Sequence, residues 1–214
     1  MGLSDMKAFP NLTIIGLLGG VASGKSFIAQ LLVKRGAILL DADKAGHEVL
    51  RDPEVKAAAR ARWGDGIFGS DSHIHRPALG KIVFAPPPDG PCELAYLESL
   101  SHPRLGKRLL DQLEAIAASG RRKVVVLDAP VMLKAGWNTF CNYLAFVEAP
   151  RKLRLQRATA RGWTEAEFDR RERAQESLET KRKLATLVID NSGMAEDAEA
   201  QVSRLWSQIK EEKM

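Results

Sequence analysis

The hydrophobic and polar positions divide the chain into short apolar runs and longer amphipathic stretches. Residues 12–18, Leu-Thr-Ile-Ile-Gly-Leu-Leu, make an apolar run too short for a typical helix. It stops at two glycines, which predicts a fully buried strand. Short runs at 37–40, 123–128, 143–147 and 187–190 predict four more strands. Between them the period changes. Phe27, Ile28, Leu31 and Leu32 fall at helical spacing, predicting a helix over 25–35 that ends at Gly36 in the C′ position. Further helices are predicted at 151–161, from Thr164 onward (where Thr164-Glu-Ala-Glu167 forms a capping-box pattern), and at 195–212. Residues 1–11 read as a short, frayed polar leader.

Strands alternating with helices predict an α/β protein, a three-layer α/β/α phosphate-loop fold around one parallel sheet of about five strands. The first β-α-β unit must run parallel and right-handed, and ligands of such sheets collect beyond the carboxyl ends of the strands. Residues 45–119 break the alternation: helical patterns at 45–62 and 94–118 are parted by 64–72 and by Pro86-Pro87-Pro88, with no clear strand. The predicted organisation is a nucleotide-binding core (11–44, 120–150 and 184–214), a helical acceptor-binding insert (45–119) and a lid (151–183).

The first strand leads straight into chemistry. Gly19 and Gly24 bracket four residues, and Lys25-Ser26 completes the phosphate-loop spacing G-x-x-x-x-G-K-[ST]. A sharp strand-to-helix turn with its amides directed inward needs glycine, and those amides together with the positive helix end bind polyphosphate. Gly20, Val21, Ala22, Ser23, Gly24, Lys25, Ser26 and Phe27 are therefore the candidate ATP-binding stretch. In it Lys25 reaches the β- and γ-phosphates and the Ser26 hydroxyl ligates Mg²⁺.

Composition narrows the partners. The chain is 45% hydrophobic and 28% charged, ordinary for a soluble protein, with a net charge of +5. The basic excess suits small polyanions, and without recognition aromatics, zinc spacing or a basic arm it predicts no nucleic-acid partner. No apolar stretch approaches 18 residues and no signal peptide is visible, so a cytoplasmic protein with no membrane partner is expected, without a signal for oligomeric state. Cys92 and Cys141, in no paired spacing, read as buried thiols.

A GTPase would carry an N-K-x-D element, which is missing, and motor ATPases run larger. A small-molecule kinase needs an acceptor insert, a carboxylate near the acceptor hydroxyl and an arginine-bearing lid. Asp43, after the second strand, either accepts the hydroxyl proton or caps the helix beginning at Lys44; Asp41 is the reserve candidate if the strand stays extended. Arg154, Arg157 and Arg161 fall at i, i+3 and i+7 on one helical face, suited to phosphate oxygens or simply solvated. Asp128, ending a strand beside the loop, either holds Mg²⁺ through water or caps a helix.

These residues together resemble the dephospho-coenzyme A kinase family over roughly residues 12–210. The resemblance is carried by the loop 16–26, Asp41-Ala42-Asp43, the stretch 76–84, His102-Pro103, Asp128-Ala129-Pro130 and the closing Val188-Ile-Asp-Asn-Ser-Gly193. It implies ATP-dependent phosphorylation of the ribose 3′-hydroxyl of dephospho-coenzyme A, with Asp43 as base. Lys25, Arg157 and Arg161 then act on the phosphates, Asn191 and Gly193 lie near adenine, and Arg76, Lys81, His102 and Arg104 face the acceptor. Leu18, Ala22, Phe27, His75 and Lys134 depart from the usual family residues. Two alternatives stay open: a kinase of another nucleotide or nucleoside, and a non-catalytic nucleotide-binding regulator.

Overall fold

A computed structural model describes residues 9–211, apart from the side chain of Asp43. Of the predicted leader at 1–11, residues 1–8 lie outside the described residues, as does the end of the closing helix at 212. Five strands form one sheet in the order β2-β3-β1-β4-β5: β1 (Leu12–Gly19), β2 (Ile38–Asp41), β3 (Lys123–Asp128), β4 (Tyr143–Glu148) and β5 (Leu187–Asp190). Every neighbouring pair runs parallel. The central strand β1 is buried along its whole length, which is why its sequence is apolar without alternation.

One face of the sheet is covered by α1 (Lys25–Lys34) and by the last helix, residues 195–211, with Ile28, Leu32, Val202, Leu205 and Ile209 packed over Ile15, Leu17, Val126, Val147 and Ile189. A ten-residue helix is marginal on its own. Burying Ile28, Leu31 and Leu32, at about 1.5–3 kcal/mol each, is what fixes α1 behind the loop.

The chain divides into two compact units. Of the described residues, one comprises 9–41 and 113–211; the other spans 42–112. The second holds α2 (Ala42–Val49), α3 (Pro53–Trp63), α4 (Arg76–Val83) and most of α5 (Asp89–Ala117), with its own core of Ala59, Ile67, Ile74, Leu79 and Val83. Phe68 and Ile74 form an isolated antiparallel bridge there. Residues 151–183 belong to the first unit and fold as α6 (Arg151–Thr159), α7 (Glu165–Arg173) and α8 (Leu178–Leu184); the last helix is α9 (Ala195–Glu211). Thr164 caps α7 by accepting from the Glu167 amide, as its sequence predicts.

Several expectations need correcting. The strand does not stay extended past Asp41: α2 starts at Ala42, so Asp43 sits in its first turn and no helix begins at Lys44. His102-Pro103 is not an extended turn but lies inside α5, which begins earlier than position 94. An interior proline costs a helix about 3 kcal/mol, and burial of Leu105, Leu109 and Leu113 on the same helix offsets it. Cys92 is exposed rather than buried, while burial pushes the Cys141 thiol up to about 12. Helix α8, capped by Ser177, was not signalled by the charged run 178–184.

Candidate active site

The phosphate loop leaves β1 at Gly19 and enters α1 at Lys25. Gly24 has φ 99°, a left-handed conformation that disfavours a side chain, and a Cβ there would fall on the Asn191 side-chain amide. Ala22 occupies the left-handed region with φ 56°, a conformation uncommon for a residue that carries a Cβ.

The loop's carbonyls are taken up one by one. Gly19 O accepts from Lys181 Nζ (3.3 Å) and Gly20 O from Lys25 Nζ (3.2 Å) and the Ser23 amide (3.2 Å). Val21 O accepts from Arg154 Nη1 (3.3 Å), and Ser23 O from Arg157 Nη1 (3.0 Å) and Asn191 Nδ2 (2.8 Å). In a planar trans peptide the N–H points opposite to the carbonyl. The ties on Val21 O and Ser23 O therefore turn the amides of Ala22 and Gly24 away from the arginines that hold those oxygens, as an anion in the loop needs.

The cations that do this come largely from the segment 151–183. Val21 is the apolar counterpart of the same junction: it packs with Ala158 of α6 and Phe168 of α7, with Leu155 and Trp163 alongside. Arg154 is 3% exposed and not part of a solvated face. It donates to Ala149 O (3.1 Å), pairs with Glu172 and lies over the Phe168 ring. Arg157 is half-buried and also donates to Asn191 O (2.8 Å), with its charged form disfavoured first by burial and then by Arg161. Arg161 is exposed, just past the end of α6. The three arginines thus run from buried to exposed along one line.

The remaining predicted residues are placed as follows. Ser26 and Phe27 are exposed in the first turn of α1. Asn191 is buried, with its amide on Glu148 O (2.9 Å) and its side chain on the loop, and Gly193 is exposed. Asp128, half-buried at the end of β3, stands in register with Leu17 of β1 and with Asp41 of β2. Carboxylate and hydroxyl oxygens are the hard donors Mg²⁺ takes, but among the described residues no three His, Cys, Asp or Glu side chains cluster to hold an ion by themselves. In the helical unit, Arg76 and Lys81 are exposed on α4, and His102 and Arg104 are half-buried on α5; Arg104 donates to Glu54 (2.8 Å). Lys134 and His75 are exposed.

Sequence reasoning missed Lys181, Gln175 and Glu172. Lys181 lies one turn from Leu178, whose side chain packs beside Gly20, and that i, i+3 pairing was the one available signal for its inward face.

A model of the dephospho-CoA kinase family matches residues 13–197. A dephospho-CoA kinase of Thermobifida fusca is 35% identical over 198 residues, covering 91% of this chain and 95% of the relative. One of Carboxydothermus hydrogenoformans is 36% identical, covering 89% and 91%. Among solved structures, TT1252 from Thermus thermophilus superposes with a TM-score of 0.77 at 30% identity, covering 92% of this chain and 97% of that one. A dephospho-CoA kinase from Campylobacter jejuni (TM-score 0.63, 20% identity, covering 93% and 98%) shares the fold.

Proposed function

The chain belongs to the dephospho-CoA kinase family, and from that premise we propose that it transfers the γ-phosphoryl group of ATP to the ribose 3′-hydroxyl of dephospho-CoA, giving CoA and ADP. The observation that carries the reading is the loop itself: Arg154 holds Val21 O, Arg157 and Asn191 hold Ser23 O, and the amides of Ala22 and Gly24 are turned the other way for a polyphosphate.

Phosphoryl transfer leaves the protein little covalent work, so positioning and charge neutralisation dominate. Lys25 and the loop amides hold the phosphates. Arg157, anchored on the loop, and Arg161, exposed beside it, neutralise charge on the γ-phosphoryl oxygens as it transfers. Asp43 takes the proton of the 3′-hydroxyl as that oxygen bonds to the γ-phosphorus, and the bond to the β–γ bridging oxygen breaks to release ADP. Its support is its position two residues beyond the end of β2 and the family likeness of Asp41-Ala42-Asp43. Ser26 and Asp128 would hold Mg²⁺, which supplies charge neutralisation on the β- and γ-phosphates when bound. Arg76, Lys81, His102 and Arg104 of the helical unit receive the acceptor, and the turn at Asn191–Gly193 borders adenine. The unit 42–112 acts as the acceptor-binding insert and residues 151–183 as the lid over the core, in the cytoplasm.

The test is a coupled ADP-release assay with dephospho-CoA as acceptor. Turnover well above the ATPase background is expected, and none would reject the reading. Asp43→Asn should lower turnover by about 10²- to 10⁴-fold with ATP affinity little changed. An unaltered rate would move the base elsewhere.

A further inference from the structure

Lys181 is the most deeply buried lysine of the site, 3% exposed on α8. Its ammonium donates to Gly19 O (3.3 Å) and to Gln175 Oε1 (2.7 Å), both neutral oxygens. An ammonium carries three donors, so one N–H remains for another acceptor. Arg154, its buried neighbour in charge, is paired with Glu172; among the described residues Lys181 has no carboxylate in hydrogen-bond contact. It lines a small cleft at the carboxyl ends of β1 and β3, together with Gly19, Lys25, Ala129, Pro130 and Gln175. Two lysines share that cleft.

A buried ammonium is costly unless its donors are met, and Lys181 shares its cleft with Lys25. The groups around Lys181 are in keeping with this. Burial and then Lys25 push its pKa down to about 8, with Arg154 adding to the effect and Glu176 and Glu172 partly opposing it. In a phosphate loop the backbone amides cradle the inner phosphates while the lysine reaches the outer ones. Lys25 Nζ lies at Gly20 O, next to the carbonyl that Lys181 holds. The two ammonium groups therefore stand at the outer-phosphate end of the loop.

We propose that Lys25 and Lys181 together form a subsite for the terminal phosphoryl group of the nucleotide, with Lys181 the second cation on its oxygens. The inference rests on the kinase reading of the loop and adds to it a residue from the segment 151–183. It makes the terminal phosphoryl group, present in a triphosphate and absent from a diphosphate, the acceptor for the remaining N–H of Lys181.

The experiment is calorimetric binding of ADP and of a non-hydrolysable ATP analogue to the wild-type chain and to Lys181→Met. The variant should bind the analogue about 10- to 100-fold more weakly, the worth of a hydrogen bond to a charged group, and ADP almost as well as the wild type. Lys181→Arg should recover part of the loss. Equal weakening for both nucleotides would assign Lys181 a purely structural hold on Gly19 and overturn the proposal, as would no weakening at all. If Lys181→Met does not fold, Lys181→Gln, whose amide can still donate to Gly19 O, is judged by the same ratio. A wild-type chain that binds neither nucleotide would overturn the reading of the loop itself, and this subsite with it.

Discussion

The two units use their positive charge in opposite ways. Around the phosphate loop, Arg154 and Lys181 are buried and spend their donors on backbone carbonyls. In the helical unit the cations face water: Arg76 and Lys81 are exposed, Arg104 pairs with an exposed Glu54 and Arg108 with Glu48. Burial makes the first set rigid and expensive, because each charge must be satisfied within the protein. Exposure makes the second set cheap and adjustable. A loop that orients phosphates for transfer gains from fixed geometry, whereas on the proposed reading a surface that receives a large, charged acceptor gains from side chains that can still move. If that division is functional, damage near the loop should be severe and damage to the surface pairs slight.

The harshest break is Gly24→Ala. The new Cβ meets the Asn191 amide that holds Ser23 O, in a backbone conformation at φ 99° that already disfavours a side chain. Displacing the loop by about 1 Å costs on the order of 10²-fold in turnover. Steady-state kinetics with saturating acceptor should show at least that loss, together with weaker ATP binding. Turnover within a few-fold of the wild type would mean the carbonyl ties do not set the amides.

Glu172→Gln comes next. It keeps the shape of the pair but leaves Arg154, 3% exposed, without its carboxylate. Removing one partner of a buried pair costs about 3–5 kcal/mol; Glu172 itself is 27% exposed, so a value near 3 kcal/mol is expected. Urea denaturation followed at two probes measures it. A loss under about 1 kcal/mol would place Arg154 with the surface cations after all.

This contrast also marks what could be read from the chain. The loop was legible because its chemistry is a spacing, Gly19 to Ser26, and the strands because buried parallel strands are continuous apolar runs. The arginines of α6 were legible as a face, but not which of them was buried, since charge in a sequence argues for exposure and only tertiary packing against Val21 and Phe168 overrules it. Lys181 was hidden for the same reason. Pro103 misled in the other direction: a local signal for a break lost to the burial of leucines further along α5. The site was thus visible where local geometry dictates residue type, and invisible where distant residues decide the burial of a charge.

The smallest effect belongs to the Arg104–Glu54 pair, and its smallness is the point. The two side chains meet at 2.8 Å with exposures of 34% and 81%, between α5 and α3. Their attraction is screened by solvent, and holding two long side chains in one geometry costs entropy, so a double-mutant cycle of Arg104→Gln and Glu54→Gln should give a coupling below about 1 kcal/mol that fades further in salt. The same cycle on Arg154 and Glu172 should give several times more and respond little to salt. If Arg104 also receives the acceptor, Glu54→Gln frees its guanidinium, and the KM for dephospho-CoA should fall or stay level while stability barely changes. A rise in KM would mean that Glu54 orients Arg104 for the acceptor, which would make this exposed pair part of a preset site as well.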